Sequence, residues 1–183
     1  MLHAPHYDGT SAYCGPTAMA AVTGESLAVI HQAIRTVRGR IDRIKANGHA
    51  KRPVKGMHNV ELVAGMAELG WLVVEADDWR MAISRHGRSL RLGEFLNLRG
   101  QDGPFIIHAA NHYFAVSQGE ICDTGTRLPL AISRFKRKRL GRLCWVRAWW
   151  RFDDILDDDS PQGAAFELLL EDLESMKYEA TGD

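Results

Sequence analysis

The sequence predicts an α+β fold in which N-terminal helices pack on a C-terminal, mostly antiparallel sheet. Three observations carry that expectation. The first 70 residues hold three runs with apolar or alanine-rich helical character, each followed by a glycine: Gly24, Gly39 and Gly70. Strand-like runs rich in β-branched and aromatic residues dominate residues 104–150. Two of them, "HYFAVS" and "EICD", are joined by Gln118-Gly119, the length and composition of a tight hairpin turn. Helices followed by strands, rather than alternating with them, segregate into an α+β arrangement.

The first helix is expected to open near Cys14. Pro16 sits where a first turn tolerates it, because its missing N–H would have no partner there. Residues 17–22 are alanine-rich, and Gly24 ends the run. A second helix should start at Glu25 or Ser26, with Leu27, Ile30, Ile34 and Val37 inward, and stop at Gly39. Residues 40–56 are basic and polar, with Gly48, Pro53 and Gly56, and read as a loop. The third helix is expected over 59–69, with Val60, Val63, Ala64 and Ala67 on its apolar face and Gly70 as its C-terminal cap.

"WLVVEA" (71–76) reads as a strand, and residues 89–98 as a helix turning Leu90, Leu92, Phe95 and Leu96 inward. "PFIIHA" (104–109), "HYFAVS" (112–117) and "EICD" (120–123) are the most strand-like segments, with further strands expected at 128–132 and 143–150. Ser160-Pro161 opens an acidic amphipathic helix over 161–178, with Phe166, Leu169, Leu170, Leu173 and Met176 on one face. The expected organisation is one domain over 1–152 and an acidic tail over 153–183.

Apolar residues make up 45% of the 183-residue chain, enough for a sizeable core. The three cysteines (Cys14, Cys122 and Cys144) are widely spaced and form no CxxC, which fits a reducing compartment better than a disulfide framework or a zinc knuckle. No run approaches the roughly 18 apolar residues of a membrane span. The N-terminal "MLHAPHYDGT" lacks the basic and apolar regions of a secretion signal, so a cytoplasmic location with no membrane partner is expected. Carboxylate pairs such as Asp77-Asp78 and Asp153-Asp154 lack nearby histidines, and no glycine motif cradles phosphate; neither metal nor cofactor is expected.

The net charge of zero hides a polarity. Residues 133–151 carry eight Lys or Arg and no acid, whereas residues 153–183 carry eleven acids and one lysine. The basic stripe over 134–151, interleaved with tryptophan, suits a polyanion or a protein partner. It equally suits a charged edge strand followed by a core strand holding Trp145 and Trp149. The acidic helix suits docking on that stripe or binding a partner.

The chemistry concentrates in three residues. Cys14 stands at the mouth of a helix, where the dipole favours a thiolate. If Gln118 and Gly119 form the hairpin turn, Ser117 faces Glu120, Asp123 lies opposite Phe114, and His112 opposite Gly125. His112 and Asp123 are then diagonal neighbours on one face, about 7–8 Å apart along the backbone and within side-chain reach. Asp123 would hold the imidazole in one tautomer, leaving its other nitrogen for the thiol. His108, on the neighbouring strand, and His58, before the third helix, are lesser candidates. Cys122 should point away from Asp123 into the core, and Cys144 belongs to an aromatic, core-like stretch.

"YCGPTAMAAVTG" resembles the nucleophile helix of papain-like cysteine peptidases, especially the bacteriocin-leader-processing branch. "NHYFAVSQGEICDTG" resembles that branch's segment of histidine strand, turn and acid-bearing strand. "GESLAVIHQAI" and "ELVAGMAELGW" are similar to helices of small papain-like proteins of bacteria and their phages. The resemblance spans roughly residues 8–150 and leaves out the acidic tail. It implies a papain-like fold, with Cys14 as nucleophile, His112 as general base and Asp123 as orienting acid. It also implies an amide bond in a protein or peptide as substrate. The family's oxyanion glutamine, about six residues before the cysteine, falls here on Asp8. An ionised carboxylate cannot donate a hydrogen bond, although a buried, protonated one would. The backbone N–H of Cys14, with Ser11 or Asn111, supplies the remaining donor candidates.

The expected activity is therefore hydrolysis of an amide through a Cys-His-Asp triad and an acyl-enzyme. Acyl transfer through the same triad, in the manner of a transglutaminase, is the enzymatic alternative. A papain-like scaffold acting in binding or virion assembly is the other.

Overall fold

The computed structural model describes residues 1–45, 54–75, 91–99, 104–109, 111–126, 128–134 and 145–151, at 42, 44, 45, 74, 75, 98, 99 and 145–151 through the backbone. The acidic tail, Cys144, Leu90, most of the basic stripe and residues 46–53 of the expected loop over 40–56 lie outside the described residues.

Helices come first. α1 (Cys14–Thr23), α2 (Leu27–Lys45) and α3 (Asn59–Glu68) precede β1 (Trp71–Glu75) and α4 (Leu92–Arg99). Then come β2 (Phe105–Ala109), β3 (His112–Ser117), β4 (Glu120–Cys122), β5 (Leu130–Ala131), a 3-10 turn (Ile132–Arg134) and β6 (Trp145–Arg151). The six strands form one sheet in the order β1-β6-β2-β3-β4-β5, and every adjacent pair is antiparallel. The fold is α+β, as expected. β6 lies between β1 and β2, inside the sheet. Among the described residues no helix is long and apolar enough to cross a membrane.

The strands alternate their side chains between two cores. On one face Ile106, Tyr113, Ala115 and Cys122 pack with α1, α2 and α3. On the other, Phe105, Ile107, Phe114, Val116 and Ile121 pack with Leu92 and Phe95 of α4. Phe95 meets Phe105 edge to face, with ring centroids 5.1 Å apart, a favoured geometry for the ring quadrupoles. Residues 15–22 of α1 are all buried, because this helix packs against β2, β3 and β4 as well as α2 and α3. A helix enclosed on all sides has no need of a polar stripe, which explains its mostly small or apolar sequence.

Two expectations about the helices are corrected. α2 does not stop at Gly39 but continues to Lys45, so residues 40–45 are helical rather than loop. A helical glycine costs about 1 kcal/mol relative to alanine, and contacts on both sides offset that. Arg38 pairs with Glu61 of α3 at 2.8 Å, Arg40 pairs with Glu68, and Arg43 donates to the Gly39 carbonyl at 3.3 Å. In α3 the buried face is Glu61, Leu62, Gly65 and Met66, whereas Val60 is 63% exposed and Ala67 is exposed. The larger side chains Leu62 and Met66 decide which face is inward, and the buried Arg38–Glu61 pair brings a charged residue onto it. α4 begins at Leu92, with Leu92 and Phe95 inward as expected.

The hairpin follows its predicted register. Ser117 pairs with Glu120, Val116 with Ile121 and Ala115 with Cys122. Gln118 and Gly119 both take positive φ, 48° and 77°, the left-handed pair that matches the twist of the flanking strands.

Candidate active site

Cys14 is the first residue of α1 and His112 the first of β3, and α1 packs on β3. The thiol and the imidazole therefore meet at the end of the sheet. Cys14 is half-buried and hydrogen-bonded to the His112 side chain. Burial pushes its pKa up, but the bond to His112, the backbone N–H groups of Tyr113 and Gly15, and the imidazolium charge outweigh it. The net shift is downward, toward a thiolate.

Asp123 is fully buried, and its Oδ2 lies 3.3 Å from Nε2 of His112. That leaves Nδ1 as the ring nitrogen for the thiol. The other carboxylate oxygen, Oδ1, accepts the backbone N–H groups of Gly125 at 2.6 Å and Thr126 at 2.8 Å. The Thr126 hydroxyl in turn accepts the Asp123 N–H at 3.0 Å and bonds the Asp123 carbonyl at 3.2 Å. Burial alone would raise the Asp123 pKa; the bonds from His112, Thr126 and Gly125 overcome it and hold the carboxyl at about 2. The bond to Asp123 and then that to Cys14 raise His112 to about 9. The three groups thus favour a carboxylate, an imidazolium and a thiolate in a row.

Beyond Cys122 the hairpin ladder ends, so Gly125 does not stand opposite His112 as the extrapolated register expects. The chain turns instead over residues 123–126, and Gly125 serves the site through its N–H. The Asp-x-Gly-Thr spacing is an Asx-turn signal, and it is the sequence feature that marks Gly125 and Thr126 as supports of Asp123.

The oxyanion candidates fare differently. Asp8 is exposed, and its Oδ2 accepts the N–H of Ala28 in the first turn of α2 at 3.3 Å. The Thr10 hydroxyl holds its carboxyl below the ordinary value. The condition for a donating Asp8, burial with a proton, is not met: a carboxylate beside the positive end of α2 is favoured as an anion. Ser11 is exposed three residues before Cys14, and Asn111 is exposed beside His112 with φ 62°. The Cys14 N–H belongs to the first helical turn, whose donors have no intrahelical acceptor.

Around this centre, Tyr113 donates its hydroxyl to Asn59 Oδ1 and stacks on His108 with ring centroids 4.3 Å apart. Burial and the charge of His112 both push the His108 pKa down. The Met57 side chain lies so close to Gly15 that a Cβ there would collide with its methyl group. His58 is exposed at the start of α3, where it forms a capping box with Glu61. Cys122 is buried, and burial pushes its thiol up to about 11, which fits the expected core role. Among the described residues no group of three His, Cys, Asp or Glu side chains is placed to hold a metal ion.

No family model, curated protein or solved structure matches this chain.

Proposed function

We propose that the chain is a cysteine-dependent hydrolase of papain-like type that cleaves an amide bond in a peptide or protein. The reading rests on one observation: the sequence Cys14–His112–Asp123 in space, with the carboxylate oriented by two backbone N–H groups. The Cys14 thiolate attacks the substrate carbonyl carbon, forming a C–S bond and a tetrahedral oxyanion. His112 donates its proton to the departing nitrogen as the C–N bond breaks, leaving an acyl-enzyme and an amine. His112 then takes a proton from water as the water oxygen attacks the thioester; the C–S bond breaks, the carboxylic acid leaves, and the released Cys14 thiolate with the protonated His112 restores the ion pair. Asp123 keeps the imidazole in its working orientation throughout. The N–H of Cys14 faces the developing oxyanion, with Ser11 or Asn111 as the second donor.

Acyl transfer differs only in the group that resolves the acyl-enzyme, so product analysis with and without a primary amine separates it from hydrolysis. A binding or virion-assembly role is favoured by a different observation: Asp8, where the resemblance asks for an oxyanion donor, is ionised and caps α2. A cytoplasmic setting, in a bacterium or a phage-infected host, belongs to the same proposal. The basic stripe over 134–151 and the acidic helix over 161–178 are the proposed partner surfaces in that setting.

The experiment is acyl-enzyme trapping with p-nitrophenyl acetate. The hydrolase reading expects a burst of p-nitrophenol and an acetyl group located on Cys14 by mass spectrometry, both lost in His112→Ala. A wild-type protein that gives no burst, or an adduct spread over other residues, supports the scaffold reading instead.

A further inference from the structure

We propose that Tyr113 is a positioning residue for the Cys14–His112 pair, because its hydroxyl closes a ring of contacts from β3 through the start of α3 and Met57 back to α1. The inference rests on the hydrolase reading of that pair.

Tyr113 directly follows His112, so its side chain leaves β3 on the opposite face, in the core cluster against which Cys14 packs. It is 5% exposed. Its hydroxyl donates to Asn59 Oδ1, with a longer contact of 3.4 Å to the Met57 carbonyl. Stacking on His108, with only 14° between the ring planes, fixes the direction of the phenol. From Met57 the ring continues through its side chain, which packs on Gly15, the residue next to the nucleophile. The last link is the main chain of Tyr113, whose N–H donates to the Cys14 thiol.

The segment that carries Met57 is anchored on both sides of it. Arg38 donates to the Gly56 carbonyl, and Glu61 Oε2 accepts the His58 N–H at 2.8 Å. The backbone around Met57 is thus held in place beside the first turn of α1. The thiol and imidazole come from different elements, and their hydrogen bond depends on the spacing of α1 and β3 to a fraction of an ångström. The tie from Tyr113 to Asn59 and Met57 sets that spacing from outside the site.

The test is the pH–rate profile of iodoacetamide alkylation at Cys14 in the full chain, with circular dichroism to confirm folding. Tyr113→Phe keeps the aromatic ring and removes the hydroxyl. Asn59→Leu removes the acceptor, and Asn59→Asp restores one. Tyr113→Phe and Asn59→Leu are each expected to move the midpoint upward, toward that of a free thiol. At a pH below both midpoints this slows labelling at least about threefold, the equivalent of half a pKa unit. Asn59→Asp is expected to match wild type, and the double variant to shift no further than either single one. Should one variant not fold, the other decides. A depressed, His112-dependent wild-type midpoint that neither variant moves overturns the positioning role alone. A wild-type midpoint at the free-thiol value, unchanged in His112→Ala, overturns the hydrolase reading and the positioning role with it.

Discussion

The Asp123 carboxylate is divided between two tasks: Oδ2 faces His112 Nε2 at 3.3 Å, while Oδ1 is held by the N–H groups of Gly125 and Thr126. The residue that orients the imidazole is therefore itself oriented, by a turn that begins where the hairpin ladder ends. A buried carboxylate with this many donors stays ionised and cannot rotate away from its histidine.

Asp123→Asn keeps the shape and removes the charge. The amide oxygen can still accept from Gly125 and Thr126, which turns its NH2 toward Nε2 and forces the wrong tautomer. The His112 pKa is expected to fall from about 9 by more than one unit, as read by NMR titration of its ring protons. Acylation of Cys14 is expected to slow by about 100-fold or more, the scale of lost general acid–base function. An unchanged His112 titration would contradict the orienting role.

Stability should follow the same two groups, with opposite signs. His112 is raised from 6.5 to about 9, so its contribution is fully present below about pH 6.5 and is lost as pH rises through 9. Asp123 is lowered from 3.8 to about 2, so its contribution is present above about pH 4 and is lost as pH falls through 2. The lowered Cys14 pKa acts with the opposite sign on the alkaline side, so urea midpoints are measured from pH 2 to 10 in a Cys14→Ala background, where a plateau between about 4 and 6.5 is expected and added His112→Ala flattens the alkaline limb. A Cys14→Ala limb that falls no more steeply than that of the double variant would count against the raised imidazole.

Arg38 and Glu61 form a pair that is nearly buried on both sides, with 9% and 11% of their side chains exposed. Arg38→Met leaves Glu61 without its main cation in a dry site and is expected to cost about 3 kcal/mol or more. Arg38→Met with Glu61→Leu is expected to recover much of that loss, since an apolar pair of similar volume carries no uncompensated charge. Equilibrium urea unfolding checks both values. A double variant as unstable as the single one would show that the charge pair itself is not what Arg38 supplies.

What was legible in the sequence was local. The hairpin register followed from a two-residue turn and placed Asp123 near His112, while the turn over 123–126 that orients its carboxylate lies beyond the ladder. α1 was legible because a proline near its start and a glycine past its end bracket it. The extent of α2 was not, because the contacts that carry it through Gly39 come from α3, 23 and 28 residues away in the chain (Arg38 to Glu61, Arg40 to Glu68). The face of α3 differs from the sequence expectation for the same reason: the buried Glu61 is explained by a partner on another helix. Asp8 shows the limit of carrying a role over by position, since its carboxylate is spent on the first turn of α2. Tyr113 and Asn59 are 54 residues apart, and no local spacing rule connects them.

The most direct measurement is the pH dependence of Cys14 alkylation in wild type and His112→Ala, with the modified residue located by mass spectrometry. The account predicts labelling at Cys14 with a midpoint well below the free-thiol value of about 8.5, moving up toward that value when His112 is removed. A wild-type midpoint near 8.5 that His112→Ala leaves unchanged would contradict it.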